Sequence, residues 1–90
     1  MDAKFNSYIQ CYCCGYFTIE ERGNYEICPV CFWEDDGGNK DKTNMYSSVN
    51  HMTLDEGRMN FLEVGACAHK FIQHVQKKPN TKFKYERIAY

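Results

Sequence analysis

Apolar and polar positions divide the first half of the chain into a β-prone part and a polar part. Two short runs, residues 16–19 (Tyr-Phe-Thr-Ile) and 25–27 (Tyr-Glu-Ile), flank the polar residues 20–24, which include Gly and Asn. This arrangement predicts a β-hairpin with a somewhat long connection. Residues 34–52 are polar and rich in Gly, Asn and Asp, so we interpret them as a long loop.

Residues 53–78 have the spacing of helices. Thr53 with Glu56 forms the pattern of an N-terminal capping box. Apolar residues then recur at near-helical intervals, at Leu54, Met59, Phe61 and Leu62. Gly65 stands where a left-handed residue ends a helix, and Pro79 blocks a second helical run. We therefore predict two short helices separated at Gly65.

Charge is unevenly distributed along the 90 residues. Residues 1–76 carry six Lys/Arg against eleven Asp/Glu, a net of −5, and residues 77–90 carry five against one, a net of +4. The total of −1 gives no overall attraction to nucleic acid or to an anionic membrane. The basic tail is expected to pack on the acidic body or to lie near it, and the alternation in residues 83–88 predicts an edge strand.

The compartment is predicted from what the sequence lacks. No run approaches the ~18 apolar residues of a membrane span, and residues 1–10 have no apolar core of a signal peptide. Six cysteines without an export signal indicate metal ligands or reduced thiols rather than three disulfides. We expect one cytoplasmic domain over residues 1–90. Its expected parts are a cysteine-rich β-hairpin part (8–33), a loop (34–52), a helical part (53–78) and a basic tail (79–90).

The strongest chemical signal is two Cys-x-x-Cys motifs separated by thirteen residues. The four cysteines are Cys11, Cys14, Cys28 and Cys31. Two residues between ligands let a tight turn aim both sulfurs at one ion, and Gly15 and Pro29 suit such turns. Zinc in structural sites prefers four thiolates in a tetrahedron, so the motif predicts one structural Zn²⁺.

These cysteines have other conceivable uses. Disulfides are disfavoured in a reducing compartment. Iron in a rubredoxin-like site stays an alternative because tetrahedral sulfur suits either metal, although the short separation favours a zinc ribbon. A thioredoxin-like redox motif needs a βαβ context, and a catalytic zinc needs an open coordination position that four cysteines would fill.

Two further cysteines and one histidine are candidates for additional chemistry. Cys67 is expected to be a small buried hydrophobic residue, as free cysteines usually are. The alternative is a second metal or redox site formed by Cys13, Cys67 and a histidine such as His51. His51 otherwise anchors the chain before the helix. No nucleophile motif or phosphate-binding glycine loop is present, so the sequence predicts a non-enzymatic protein. An enzyme or redox protein that uses Cys13, Cys67 or His51 is the third-ranked alternative.

Residues 11–37 closely resemble the signature of the cysteine-rich CPCC family, a set of small bacterial and phage proteins. The run begins Cys-Tyr-Cys-Cys-Gly-Tyr-Phe-Thr-Ile and includes Cys-Pro-Val-Cys-Phe-Trp-Glu-Asp-Asp-Gly. The resemblance continues through Asn50-His51 and residues 61–67 and covers most of residues 11–75. Tyr12 replaces the family's usual proline, so the first turn loses some preorganisation while the ligands are kept. The resemblance implies a domain held together by a structural zinc ion. It also suggests an immunity or phage-inhibitor role, because such small proteins are found in phage and toxin–antitoxin-like neighbourhoods.

The residues after the second motif are the candidate partner-binding group: Trp33, Glu34, Asp35 and Asp36. A tryptophan beside acidic residues can bind a basic partner. The alternative is that Phe32 and Trp33 cover the metal site and seat the helices while the acidic residues face water.

Together these patterns predict a small α+β fold. It would consist of a zinc-ribbon-like β-hairpin with two cysteine turns, a long loop and two short helices. The predicted function is a non-enzymatic zinc-binding module that contacts another protein and no membrane. The alternative is a nucleic-acid-binding zinc ribbon that uses the basic residues and aromatics of segment 77–87.

Overall fold

The fold consists of short antiparallel strands followed by helices. The computed structural model describes residues 3–38, 41–75, 83–86 and 88. Its elements are β1 (Lys4–Phe5), β2 (Tyr8–Gln10), β3 (Phe17–Ile19), β4 (Tyr46–Ser47), β5 (Met52–Thr53), helix α1 (Leu54–Val64) and a 3₁₀ helix (His69–His74). The prediction of a small α+β chain with antiparallel hairpins and two helices is confirmed at this level.

Three strands form a sheet in the order β1-β2-β3. Asn6 and Ser7 join β1 to β2 with φ values of 50° and 73°. Two left-handed residues make the turn that best matches the twist of a hairpin. Between β2 and β3 the register shifts at Ile9 and Gln10, which is a β-bulge or a similar irregularity.

The described part of the tail lies along the free edge of β3. The N–H of Phe17 donates to the carbonyl of Lys84 at 2.9 Å, and the N–H of Glu86 donates to the carbonyl of Gly15 at 3.1 Å. Between them, Tyr16 and Tyr85 form an isolated antiparallel bridge. The tail therefore covers an edge that would otherwise present unpaired backbone groups, by a bridge rather than by the predicted strand.

The predicted hairpin between residues 16–19 and 25–27 is wrong. β3 pairs with β2, and residues 25–27 pair with residues 34–35. The N–H of Tyr25 donates to the carbonyl of Asp35, and the N–H of Asp35 donates to the carbonyl of Glu26, both at 2.9 Å. Each Cys-x-x-Cys turn thus closes its own local hairpin. The connection of the predicted hairpin, residues 20–24, is no longer than the six residues of each cysteine turn, so the entropy of loop closure does not explain the preference.

The prediction of one long loop over residues 34–52 is wrong, because these residues contain β4 and the first residue of β5. Ser47 pairs with Met52 in this second hairpin. The buried side chain of Asn50 connects this hairpin to the second cysteine turn through two hydrogen bonds with Glu34. Asn50 Nδ2 donates to the carbonyl of Glu34, and Asn50 Oδ1 accepts from the N–H of Glu34, both at 2.9 Å. These two hydrogen bonds satisfy the backbone N–H and carbonyl of Glu34, as regular strand pairing would.

Helix α1 begins and ends where the sequence predicts. The N–H of Glu56 donates to Thr53 Oγ1 at 3.1 Å, and the N–H of Thr53 donates to Glu56 Oε1 at 3.0 Å, which completes the capping box. Gly65 ends the helix with a φ of 80°. The second helix is a short 3₁₀ helix, and the predicted helix end at residue 78 and Pro79 lie outside the described residues.

The buried face of α1 differs from the predicted one. Met59 and Leu62 are 65% and 62% exposed, whereas Leu54, Gly57 and Arg58 are buried. A Cβ on Gly57 would lie 2.8 Å from the indole ring of Trp33. Glycine therefore lets the helix backbone approach the indole directly, and this contact decides which face turns inward.

The core is built around the cysteines. All six are buried and pack with a few large apolar residues, among them Ile9, Ile19, Val30, Trp33, Met52 and Leu54. A core with so few aliphatic residues gives limited hydrophobic stabilisation in a chain of this size. Within the part of the chain described above, no helix is long and apolar enough to cross a membrane.

Candidate metal centre

Four cysteine sulfurs converge on one point in the core. The Sγ atoms of Cys11, Cys14, Cys28 and Cys31 all lie within 4.8 Å of one another. Across the two turns, Cys11 Sγ is 3.7 Å from Cys31 Sγ, and Cys14 Sγ is 3.7 Å from Cys28 Sγ. A tetrahedral zinc site with Zn–S bonds of ~2.3 Å has sulfurs about 3.8 Å apart. The cluster therefore has the spacing that a tetrahedral metal ion requires.

Both cysteine turns close with the same backbone hydrogen bonds. The N–H of Cys11 donates to the carbonyl of Tyr16 at 2.8 Å, and the N–H of Cys28 donates to the carbonyl of Trp33 at 2.9 Å. Each bond spans five residues and begins at the first ligand of its motif. The chain thus repeats one six-residue turn, in agreement with the repeated Cys-x-x-Cys motif.

The residue after each second ligand repeats as well. The N–H of Gly15 donates to the carbonyl of Cys11 at 3.0 Å, and the N–H of Phe32 donates to the carbonyl of Cys28 at 2.8 Å. Gly15 has a φ of 88° and Phe32 a φ of 72°. Left-handed backbone suits glycine but strains phenylalanine. The second turn tolerates this strain while the Phe32 ring packs 4.7 Å from that of Phe71.

Hydrogen-bond donors approach three of the sulfurs. The N–H groups of Tyr16 and Trp33 donate to Cys14 Sγ at 3.5 Å and to Cys31 Sγ at 3.4 Å. The hydroxyl of Thr18 donates to Cys28 Sγ at 3.1 Å. Donors of this kind stabilise thiolate charge and orient the ligands. Sequence reasoning missed Thr18, because the sulfur it contacts lies ten residues away in the chain.

Without a metal, the four thiols ionise unequally. Burial raises the pKa of Cys11, and it raises the pKa of Cys14 and Cys31 well above the usual value. Burial also opposes ionisation of Cys28, but hydrogen bonds from the three other ligands and from Thr18 outweigh it and lower the pKa of Cys28 well below the usual value. Protons therefore compete with a metal ion for these sulfurs, and metal binding must displace them.

An arginine connects the two hairpins beside the site. Arg22 Nη1 donates to Asp35 Oδ1 at 2.6 Å, and its Nη2 donates to the carbonyl of Gln10 at 2.6 Å. Asp35 also accepts the N–H of Gly23 at 2.8 Å. This network holds β2 against the second hairpin independently of the sulfurs.

The family comparison agrees with these features. The cysteine-rich CPCC family matches residues 9–82, which include all six cysteines. The chain belongs to the cysteine-rich CPCC family. The resemblance predicted from the sequence is thereby confirmed. No curated protein and no solved structure matches the chain.

The two remaining cysteines of this CPCC protein are buried beside the cluster. A Cβ on Gly57 would lie 3.3 Å from Cys13 Sγ, and the N–H of Cys67 donates to the carbonyl of Cys31 at 2.8 Å. Burial raises the pKa of Cys67, with the neighbouring Cys13 adding to the effect. Both residues thus behave as core thiols, as expected for Cys67.

The predicted second site is not assembled. His51 is exposed in the turn between β4 and β5, with a φ of 59°, whereas Cys13 and Cys67 are fully buried. Among the described residues, the four-cysteine cluster is the one group of His, Cys, Asp and Glu close enough to hold a metal. His51 therefore does not join Cys13 and Cys67.

Two of the predicted partner-binding residues are buried. Trp33 is 3% exposed and Asp35 is 2% exposed, so neither can contact a partner directly. Backbone pairing of residues 34–35 with residues 25–27 turns alternate side chains inward, which places Trp33 and Asp35 on the same side. Glu34 and Asp36 are half-buried. Trp33 packs against α1, as the alternative interpretation predicted, but the expectation that all three acidic residues face water is wrong for Asp35.

Proposed function

We propose that this CPCC protein is a non-enzymatic module that binds another protein and holds one structural Zn²⁺ with Cys11, Cys14, Cys28 and Cys31. The observation that supports the metal role is the closed set of four buried sulfurs at tetrahedral spacing. Four thiolates fill the coordination sphere of zinc, so no position is left for a substrate. The ion then acts as the centre of the core.

The metal part of the proposal is tested by native mass spectrometry of the freshly purified protein with elemental analysis. We expect one zinc per chain, and chelation is expected to unfold the domain, because structural zinc contributes ~10–16 kcal/mol in small finger peptides. That exceeds or equals the ~5–15 kcal/mol net stability of typical domains. Iron, two metals, or loss of mass from disulfide formation would contradict the assignment.

The surface of α1 supports the protein-binding part. Met59 and Leu62 project from the helix while largely exposed, one turn apart. Methionine and large aliphatic side chains on an exposed helix face are suited to contact a partner groove or strand. The acidic excess of residues 1–76 favours a partner with a basic surface. An immunity protein or a phage-encoded inhibitor is the specific form that we propose.

Affinity capture from the source cell tests this role. Zinc-loaded wild-type protein is expected to recover a stoichiometric partner, and Met59→Asp is expected to lose it. Ile27→Asp is the matched control, because Ile27 is an exposed apolar residue outside the helix. Equal recovery by both variants would remove α1 from the interface, and the absence of a stoichiometric partner would count against the whole role.

Nucleic-acid binding through the tail stays a prediction, because residues 77–82 and Arg87 lie outside the described residues. Within the described part, Lys84 Nζ lies 5.3 Å from the centre of the Phe5 ring. Salt-dependent binding to DNA or RNA is the discriminating observation.

A further inference from the structure

A cavity of about 330 Å³ opens between the first cysteine turn and the β4–β5 hairpin. The buried side chains of Trp33 and Leu54 line it together with Tyr12, Met45 and Tyr46. This volume lies at the lower end of the range of pockets that bind small ligands. Three of these five residues are aromatic, and aromatic faces carry negative electrostatic potential.

A fixed carboxylate forms the polar part of the cavity. Asp36 Oδ2 accepts the hydroxyl of Ser47 at 2.6 Å, and Asp36 Oδ1 accepts the N–H of Gly38 at 3.1 Å. Ser47 Oγ in turn accepts from Asn50 Nδ2 at 2.9 Å, and both Ser47 and Asn50 are buried. The chain therefore orients this carboxylate before any ligand arrives, which reduces the cost of ordering it on binding.

We propose that this cavity binds an alkylammonium group, the charged end of a free amine or of a lysine side chain. A cation gains from the aromatic rings of Trp33 and Tyr46 that line the cavity, and from the carboxylate of Asp36. An anion would be repelled by Asp36. A neutral apolar ligand would desolvate Asp36 without pairing its charge. Arg22 Cζ lies 3.6 Å from the centre of the Tyr12 ring, so this ring already contacts one cation and the ligand depends on the rings of Trp33 and Tyr46.

The charges around the cavity favour the same ligand. Residues 34–56 include six Asp/Glu and two Lys. Lys42 lines the cavity and is exposed, so its ammonium group competes with an incoming cation. Removal of this lysine is therefore expected to strengthen binding. The inference goes beyond the proposed function, because a free amine requires no protein partner.

Trp33 provides the measurement, because it is the one tryptophan of the chain and lines the cavity. The metal-loaded protein is titrated with n-butylammonium and with butan-1-ol, a neutral molecule of similar shape, while indole fluorescence and calorimetric heat are recorded. We expect saturable binding of the ammonium and roughly ten-fold weaker binding of the alcohol, as loss of a charged contact implies. Equal binding of the two, or no binding of the ammonium, overturns the proposal.

Variants test the individual groups. Asp36→Asn is expected to weaken butylammonium binding roughly ten-fold, and Lys42→Ala is expected to strengthen it a few-fold. Asp41→Asn is the matched control, because it makes the same charge change at a residue that does not line the cavity. Metal content and circular dichroism are measured for each variant. An equal effect of Asp36→Asn and Asp41→Asn overturns the assignment of the carboxylate.

The source of the ammonium is identified with two further probes that share the four-carbon chain. Tighter binding of an acetylated and amidated lysine than of putrescine indicates a protein segment, and the reverse order indicates a free polyamine. Either order supports an alkylammonium site. Failure of both probes to displace butylammonium overturns it. Because these titrations need no partner, their result is independent of the capture experiment that tests the proposed function.

Discussion

Replacement of Gly15 by alanine tests the docking of the tail on the first cysteine turn. Gly15 has a φ of 88°, and a Cβ there would lie 2.8 Å from the carbonyl oxygen of Glu86 and 3.2 Å from the ring of Tyr85. Gly65 has a φ of 80°, and an added Cβ would meet nothing within 4 Å. Gly65→Ala therefore measures backbone strain alone. The difference between the two substitutions measures the displacement of the tail.

The expected magnitudes follow from these contacts. Left-handed backbone costs an L-residue roughly 1–2 kcal/mol, which we expect for Gly65→Ala. Gly15→Ala adds the loss of two hydrogen bonds, from Glu86 N–H to the Gly15 carbonyl at 3.1 Å and from Gln10 Nε2 to the Glu86 carbonyl at 2.7 Å. Each bond contributes about 0.5–1.5 kcal/mol. Gly15→Ala is therefore expected to lower the free energy of unfolding by about 1–3 kcal/mol more than Gly65→Ala.

The assay is urea unfolding of the zinc-loaded proteins at one fixed concentration of free zinc, because metal binding itself raises the stability of the folded state. Each substitution is measured in the full chain and in a chain without residues 83–90. This double cycle isolates the coupling between Gly15 and the tail. We expect the excess cost of Gly15→Ala to vanish in the shortened chain.

Two results would refute this reasoning. Equal costs of the two substitutions in the full chain would mean that Gly15 and Glu86 are not in contact in solution. An excess cost that persists without the tail would place its origin in the cysteine turn itself.

Three further predictions concern the cluster and its support. Zinc affinity is expected to fall as the pH falls, because burial raises the pKa of Cys11, Cys14 and Cys31 and protons therefore compete with the metal for these thiols. Competition of the zinc-loaded protein with a chromophoric chelator at several pH values measures this affinity, and an affinity that does not change with pH would contradict the expectation. Cys28→Ser is expected to lose tight zinc binding, whereas Cys13→Ser and Cys67→Ser are expected to keep one zinc per chain, as measured by native mass spectrometry. Loss of the metal from Cys13→Ser would show that Cys13 is a ligand. Asp35→Ala removes the carboxylate that Arg22 Nη1 contacts at 2.6 Å and is expected to cost about 2–3 kcal/mol in urea unfolding. This is less than for a fully buried pair, because Arg22 keeps its hydrogen bond to the Gln10 carbonyl. A cost below ~1 kcal/mol would show that the pair contributes little.

The features predictable from the sequence are those fixed by neighbouring residues. Two residues between ligands determine the geometry of each cysteine turn, so the four ligands can be named from their spacing. The way in which the two turns meet was not predicted correctly, because the expected hairpin between them is not formed. The capping box of Thr53 and Glu56 and the helix end at Gly65 are also local, since each depends on backbone within one or two turns. These predictions needed no knowledge of the rest of the fold.

The features that the sequence did not indicate depend on distant contacts. Residues 25–27 can pair with either of two neighbours, and propensity does not distinguish them because both pairings satisfy the same backbone groups. The burial of Asp35 follows only from the pairing actually chosen. The exposure of Met59 has a similar origin, because the direct contact of Gly57 with the Trp33 ring decides how α1 is rotated.

The tail contact also has a consequence for synthesis on the ribosome. All four thiols of the cluster lie within residues 11–31, whereas the bond between Gln10 and Glu86 joins residues 76 apart. The nascent chain therefore contains all four ligands before the segment that covers β3 has been translated. An uncovered strand edge can pair with other chains, so β3 is open to such pairing until that segment has been made and has docked.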